Sequence, residues 1–191
     1  MSFVLSTSKD DNDWTTNQEL LVKSWVDKAR CYSWMHNRSS KKYRKLHYLL
    51  TIPSILLSAI SGSANFMVSG NGGTYETTVT LGCINLFTAM LMSINQFLKL
   101  PEYTDRHKNA ANGYSKFLRN INMQLSLDKS DREPGLQFIS NCKKDFDTLS
   151  EQSPYIPDNI ISEFKKEFAN SGLEFPDIVN IEDSDNISVN I

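Results

Sequence analysis

Three histidines, His36, His47 and His107, are the side chains best suited to proton transfer or metal ligation, yet none stands at ligand spacing from another. Glu102, Asp105 and His107 fall within six residues and come nearest to a metal-donor cluster. On a helix, Glu102 and Asp105 share a face while His107 points elsewhere, so a solvated face is expected there. The run Gly70-Asn71-Gly72-Gly73 lacks the Lys-Ser/Thr of a phosphate loop and follows no strand. It reads as a turn. No Ser, Cys or Lys stands in an activating context, so a non-enzymatic role without cofactor or metal is expected.

The polar groups with the most telling placement lie where charge is absent. Ser54, Ser58, Ser61 and Asn65 are offset by four, seven and eleven residues, which puts them in one arc of a helix. Thr78, Asn85 and Gln96 do the same further on, flanked by Gly82, Ala89 and Ser93. Phe87, Leu91, Ile94 and Leu98 fall on the opposite side of that second segment and suit lipid. Small and weakly polar residues let helices approach and bond to one another in an apolar medium, or else line a water-filled path.

The elements that carry these stripes are two charge-free stretches. No Asp, Glu, Lys or Arg occurs between Lys45 and Glu76, or between Glu76 and Lys99. Within them, Tyr48–Val68 and Thr77–Leu98 are each long enough, at about 1.5 Å per residue, to cross roughly 30 Å of hydrocarbon. The link Ser69–Glu76 is rich in turn formers. The expectation is an all-α protein built on a two-helix transmembrane hairpin (residues 47–100) with flanking amphipathic cytosolic helices. A soluble helical interaction module with two buried helices is the alternative.

Charge placement sets the expected orientation. Arg38, Lys41, Lys42, Arg44 and Lys45 crowd against the first span, and Lys99, Arg106 and Lys108 follow the second. The intervening turn carries one acidic charge. Both termini are therefore expected on the cytosolic side, with the first span acting as an internal signal. The basic cluster is expected to meet anionic lipid headgroups. The net charge of −2 gives no reason to expect nucleic acid. Three cysteines, far apart and odd in number, fit a reducing compartment.

Outside the hairpin, residues 1–14 read as a flexible arm. Thr16-Asn17-Gln18-Glu19 has the form of a capping box, and Leu21, Trp25, Ala29 and Tyr32 mark one face of a helix over 15–46. Trp25 and Trp34 suit core packing better than an interfacial belt. Pro53 is expected to kink the first span. Region 101–175 should hold helices over Glu102–Leu127, Leu136–Gln152 and Asp158–Asn170, the last with Ile160, Ile161, Phe164 and Phe168 on one side. Residues 176–191 read as an acidic flexible tail.

The run Tyr43-Arg44-Lys45-Leu46-His47, followed by Ile52–Asn65, His107–Ala111 with Tyr114, and Ser153–Pro157, resembles the SLATT family of two-transmembrane proteins. It is also similar to related uncharacterised proteins of large double-stranded DNA viruses. The resemblance spans roughly Trp25–Phe168. It implies a membrane effector that oligomerises into a pore under the control of a sensor partner. In its viral form it implies a structural protein joining an internal virion membrane to a capsid layer. A homo-oligomer, and a capsid or sensor protein, are the partners it implies.

Overall fold

The computed structural model of the chain describes residues 14–179; the expected flexible arm up to residue 13 and the acidic tail beyond 179 lie outside the described residues. The fold is all-α, with no strand among the described residues. Helix α1 runs over Thr16–Asn71, α2 over Tyr75–Leu98 and α3 over Leu100–Ser126. A 3-10 turn at Lys129–Asp131 leads to α4, Gly135–Gln152, and α5 covers Asp158–Phe168. The chain divides into two compact units. One comprises the residues up to Ser39 and from His107 onward, the other Ser40–Arg106. Helix α1 contributes residues to both and runs without interruption through Pro53.

The first unit is a conventional helical core. Val22, Val26 and Ala29 of α1 meet Tyr114, Phe117 and Ile121 of α3 and Phe138 and Cys142 of α4. Of the expected face of α1, Ala29 is buried and Trp25 and Tyr32 pack half-buried against this core, whereas Leu21 is exposed and Val22 and Val26 are buried beside them. Ser33 Oγ lies 2.8 Å from Ser115 Oγ and donates to the Ala111 carbonyl at 3.1 Å, which holds α1 and α3 in close approach. A second cluster sets Cys31 and Met35 against Ile156, Ile160, Ile161 and Phe164. The predicted apolar face of α5 is the one buried, and Trp34 meets Phe164 and Phe168 edge-on at 5.6 and 5.5 Å. Val179 is buried in the same cluster, so the folded part extends past Pro176.

The start of α1 differs from expectation by one residue. Thr15, not Thr16, is the cap: Gln18 N donates to Thr15 Oγ1, and Thr15 N donates to Gln18 Oε1. Glu19 is thereby free to pair with Arg132 at 2.7 Å and Lys129 at 3.6 Å. Arg132 also donates to the Leu125 and Leu127 carbonyls, satisfying acceptors at the end of α3. Trp14, expected in the flexible arm, is instead buried. Its indole N–H donates to the Glu133 carbonyl at 3.0 Å, its ring meets Phe138 at 5.5 Å, and the Arg132 guanidinium lies over it.

In the second unit α1 and α2 form a hairpin. The half-buried and buried residues of α1 include Leu50, Ser54, Leu57, Ser61, Ala64 and Val68; those of α2 are Leu81, Ile84, Thr88, Leu91 and Asn95. Both series alternate steps of three and four, the 3.5-residue repeat of a coiled-coil seam. The turn is made by two glycines. Gly72 adopts φ +69°, and Gly73 N donates to the Val68 carbonyl at 3.1 Å, a Schellman closure. A side chain at Gly73 would meet Val68 at 2.1 Å. Thr74 then caps α2.

Removing the Trp14 anchor by Trp14→Ala should lower the stability of the first unit by about 3–5 kcal/mol. The control Leu20→Ala, at a side chain 58 % exposed, should change it by under about 0.5 kcal/mol. Equilibrium denaturant unfolding of the full chain checks both.

Candidate functional site

The residues expected to act in the hairpin separate into three sets: buried seam residues, exposed residues outside the seam, and Asn85, exposed yet bonded to the seam. Ser54 and Ser61 are buried in the seam. Ser54 Oγ donates to the Leu50 carbonyl at 2.7 Å, whereas Ser61 Oγ reaches across to Asn85 Oδ1 at 2.6 Å. Ser58, Asn65, Thr78, Gly82 and Gln96 are exposed and take no part in the seam. A side chain added at Gly82 would meet nothing within 4 Å. Leu91, expected to face lipid, is half-buried in the seam instead.

The structure adds seam groups that the stripes did not include. Thr88 is buried, with its hydroxyl donating to the Ile84 carbonyl at 2.8 Å. Asn95 Nδ2 donates to Thr51 Oγ1 at 2.8 Å, and Asn95 Oδ1 lies 3.1 Å from His47 Nδ1. The 3.5-residue spacing of Leu81, Ile84, Thr88, Leu91 and Asn95 was the signal that would have found both.

Helix α2 consequently carries three different faces. At about 100° per residue, the seam occupies one arc. Thr78, Gly82, Asn85, Ala89, Ser93 and Gln96 occupy a second, all exposed. Val79, Leu86, Phe87, Met90, Ile94 and Phe97 occupy a third, also exposed. Two helices are long and apolar enough to cross a membrane, and only 11 % and 6 % of their most apolar stretches are buried. A core helix of a soluble domain would be mostly covered. Here Phe66 and Phe97 are 85 % and 86 % exposed.

The basic cluster is divided too. Arg38 pairs with the Glu163 carboxylate of α5, which raises its pKa further. Lys41, Lys42, Arg44 and Lys45 are exposed along α1. Glu102 pairs with Arg106 at 2.9 Å, and among the described residues no three His, Cys, Asp or Glu side chains come together as metal donors.

The structure unites two histidines that are 71 residues apart in sequence. His36 of α1 and His107 of α3 are both buried in the first unit, their Nδ1 atoms 2.9 Å apart. Tyr114 stacks on His36 at 5.8 Å, with Tyr32 on the same ring at 6.5 Å. One Nδ1 must present a lone pair to the other, so the bond fixes opposite tautomers in the neutral pair. Burial, then the nearness of His107, lowers the His36 pKa to about 3; burial lowers that of His107 to about 4.

Comparison with protein-family models, with curated proteins and with solved structures finds no match to this chain.

Both histidines titrate lower in the folded chain than in the unfolded one, where about 6.5 is usual. Between pH 6.5 and about 4 the unfolded chain therefore binds more protons, so stability falls as pH falls through that window. The loss reaches about 1.4 kcal/mol per pH unit for each histidine that the unfolded chain protonates and the folded chain does not. Denaturation curves between pH 7 and 4 should show this slope. His107→Asn, which keeps a hydrogen-bonding group without the titration, should reduce it by about half.

Proposed function

We propose that this chain is a two-pass membrane protein whose hairpins assemble with copies of themselves and perturb or perforate a bilayer, without enzymatic activity. The single observation that carries the reading is the three-way division of α2. One face closes the hairpin, one is broad, apolar and exposed, and one is exposed but small and polar. A bilayer accounts for the apolar face. It does not account for Thr78 and Gln96, which are costly against lipid unless they meet protein or water; Asn85 already meets Ser61 across the seam. The apolar exposure supports insertion, since a soluble monomer rarely leaves so large a patch open. The resemblance to SLATT-type proteins points the same way.

In this reading the basic residues around Lys41–Lys45 and Arg106 keep both termini cytosolic and the Gly72–Thr74 turn outside. The small stripe makes the contact between copies, where Gly82 and Ala89 permit close approach and Gln96 bonds across it or faces an aqueous path.

The protein should stay in the membrane pellet after alkaline carbonate washing, and its release would end the membrane reading. Gly82→Leu should leave hairpin stability unchanged yet weaken assembly by about tenfold or more, read as oligomer mass in detergent and as dye leakage from liposomes. Ser61→Leu, at a buried seam position, should destabilise the hairpin itself. Asn65→Leu and Gln96→Leu should preserve oligomer mass and lower leakage, because apolar groups at a constriction favour dewetting. An inserted oligomer that stays tight to small ions would move the assignment to a membrane anchor for a protein shell.

A further inference from the structure

Where α2 gives way to α3, the second unit holds an open cavity of about 450 Å³, lined by His47, Met92, Asn95, Gln96, Lys99 and Glu102 among others. Lys99 is the one described non-glycine residue at positive φ, 46°. Glycine is the residue that fits such a helix end without strain, so a lysine here retains its side chain against the local backbone preference. Among the described residues Lys99 forms no ion pair, although Glu102 stands three positions away. Glu102 turns instead to Arg106.

The wall opposite is held in place. His47 Nδ1 and Asn95 Oδ1 lie 3.1 Å apart, and Asn95 Nδ2 donates to Thr51 Oγ1 at 2.8 Å. Gln96 is exposed beside them. Met92 adds an apolar wall one turn back along α2. The cavity therefore offers an ammonium and an amide donor, an apolar exit, and a carboxylate whose exposed pairing with Arg106 an incoming ammonium can share. That is the chemistry of a phosphate ester carrying a nearby ammonium group and an acyl tail.

We propose that this cavity binds a zwitterionic phospholipid headgroup, with its phosphate on Lys99 and Gln96, its ammonium toward Glu102 and its acyl chain leaving along Met92. The proposal rests on the membrane reading of the hairpin, in which the end of α2 lies at the bilayer surface. It differs from the diffuse attraction of an exposed basic cluster, which discriminates only by charge.

The test uses the full chain in detergent, with native mass spectrometry measuring retention of phosphatidylethanolamine, phosphatidylglycerol and free phosphoethanolamine. Phosphatidylethanolamine should be retained best. Lys99→Gly should reduce its retention by about tenfold or more through loss of a charge-assisted contact. The same variant should keep or raise the melting temperature, because glycine relieves the left-handed strain. A lysine that served only the fold would show the reverse pattern. Lys99→Gln, which keeps the stem and removes the charge, should show the same binding loss should the glycine variant not fold. Glu102→Gln should abolish the preference for ethanolamine over glycerol headgroups. Wild-type retention by folded Lys99→Gly or Lys99→Gln overturns the site. Free phosphoethanolamine binding as tightly as the whole lipid overturns the lipid and leaves a soluble phosphate ester as the ligand. If carbonate releases the chain, the membrane reading fails separately, and Lys99-dependent binding of phosphoethanolamine by the released protein would still support the phosphate site.

Discussion

Steps of three and four residues, from Leu50 to Val68 on one helix and from Leu81 to Asn95 on the next, confine the hairpin to one line of contact. At that line stand Ser54, Ser61, Thr88 and Asn95, small or hydrogen-bonding residues among aliphatic ones. A seam of this kind draws little on hydrophobic burial, because most apolar surface of both helices stays outside it. Its hold comes from close approach and from bonds such as Ser61–Asn85 and Asn95–Thr51, which matter most where water does not compete. The large exposed faces follow from the same constraint: a narrow seam between two long helices leaves the remaining arcs uncovered by the described residues.

The first unit solves a different problem. It buries aromatic and aliphatic side chains around α1, α3, α4 and α5 as a soluble domain does, and it also pairs polar groups across helices. Half-buried Ser33 meets Ser115, and fully buried His36 meets His107. A buried imidazole is costly when charged, so the second imidazole serves as a neutral partner and both titrations move down together. The pair makes this region resistant to misregistry, since a slip of α1 on α3 would strand two ring nitrogens in an apolar core.

The same division of labour bears on function. The features that stand out are surfaces: an apolar face, a small polar stripe, and a cavity beside a lysine in the left-handed region. Each is a place where a folded single chain leaves an interaction unfinished. In the proposed readings, assembly in a bilayer and a phospholipid headgroup would complete them in chemically different ways.

The amino-acid order alone determined the long uncharged helices, the turn between them and the amphipathic face of α5, because these depend on charge absence, backbone preference and local periodicity. Gly72 and Gly73 were readable as a turn for the same reason. Tertiary structure decided what local rules leave undetermined. The capping box moved back by one residue to Thr15 and Gln18, as Glu19 gained stronger partners in Arg132 and Lys129 more than a hundred residues away. Trp14 joined the core because Phe138 and the Glu133 carbonyl were there to receive it. Scattered histidines became a pair once α1 lay against α3. Two polar stripes that looked equivalent on helical wheels divided into seam and open face, since a wheel gives angles between residues but not the direction from which the partner helix arrives.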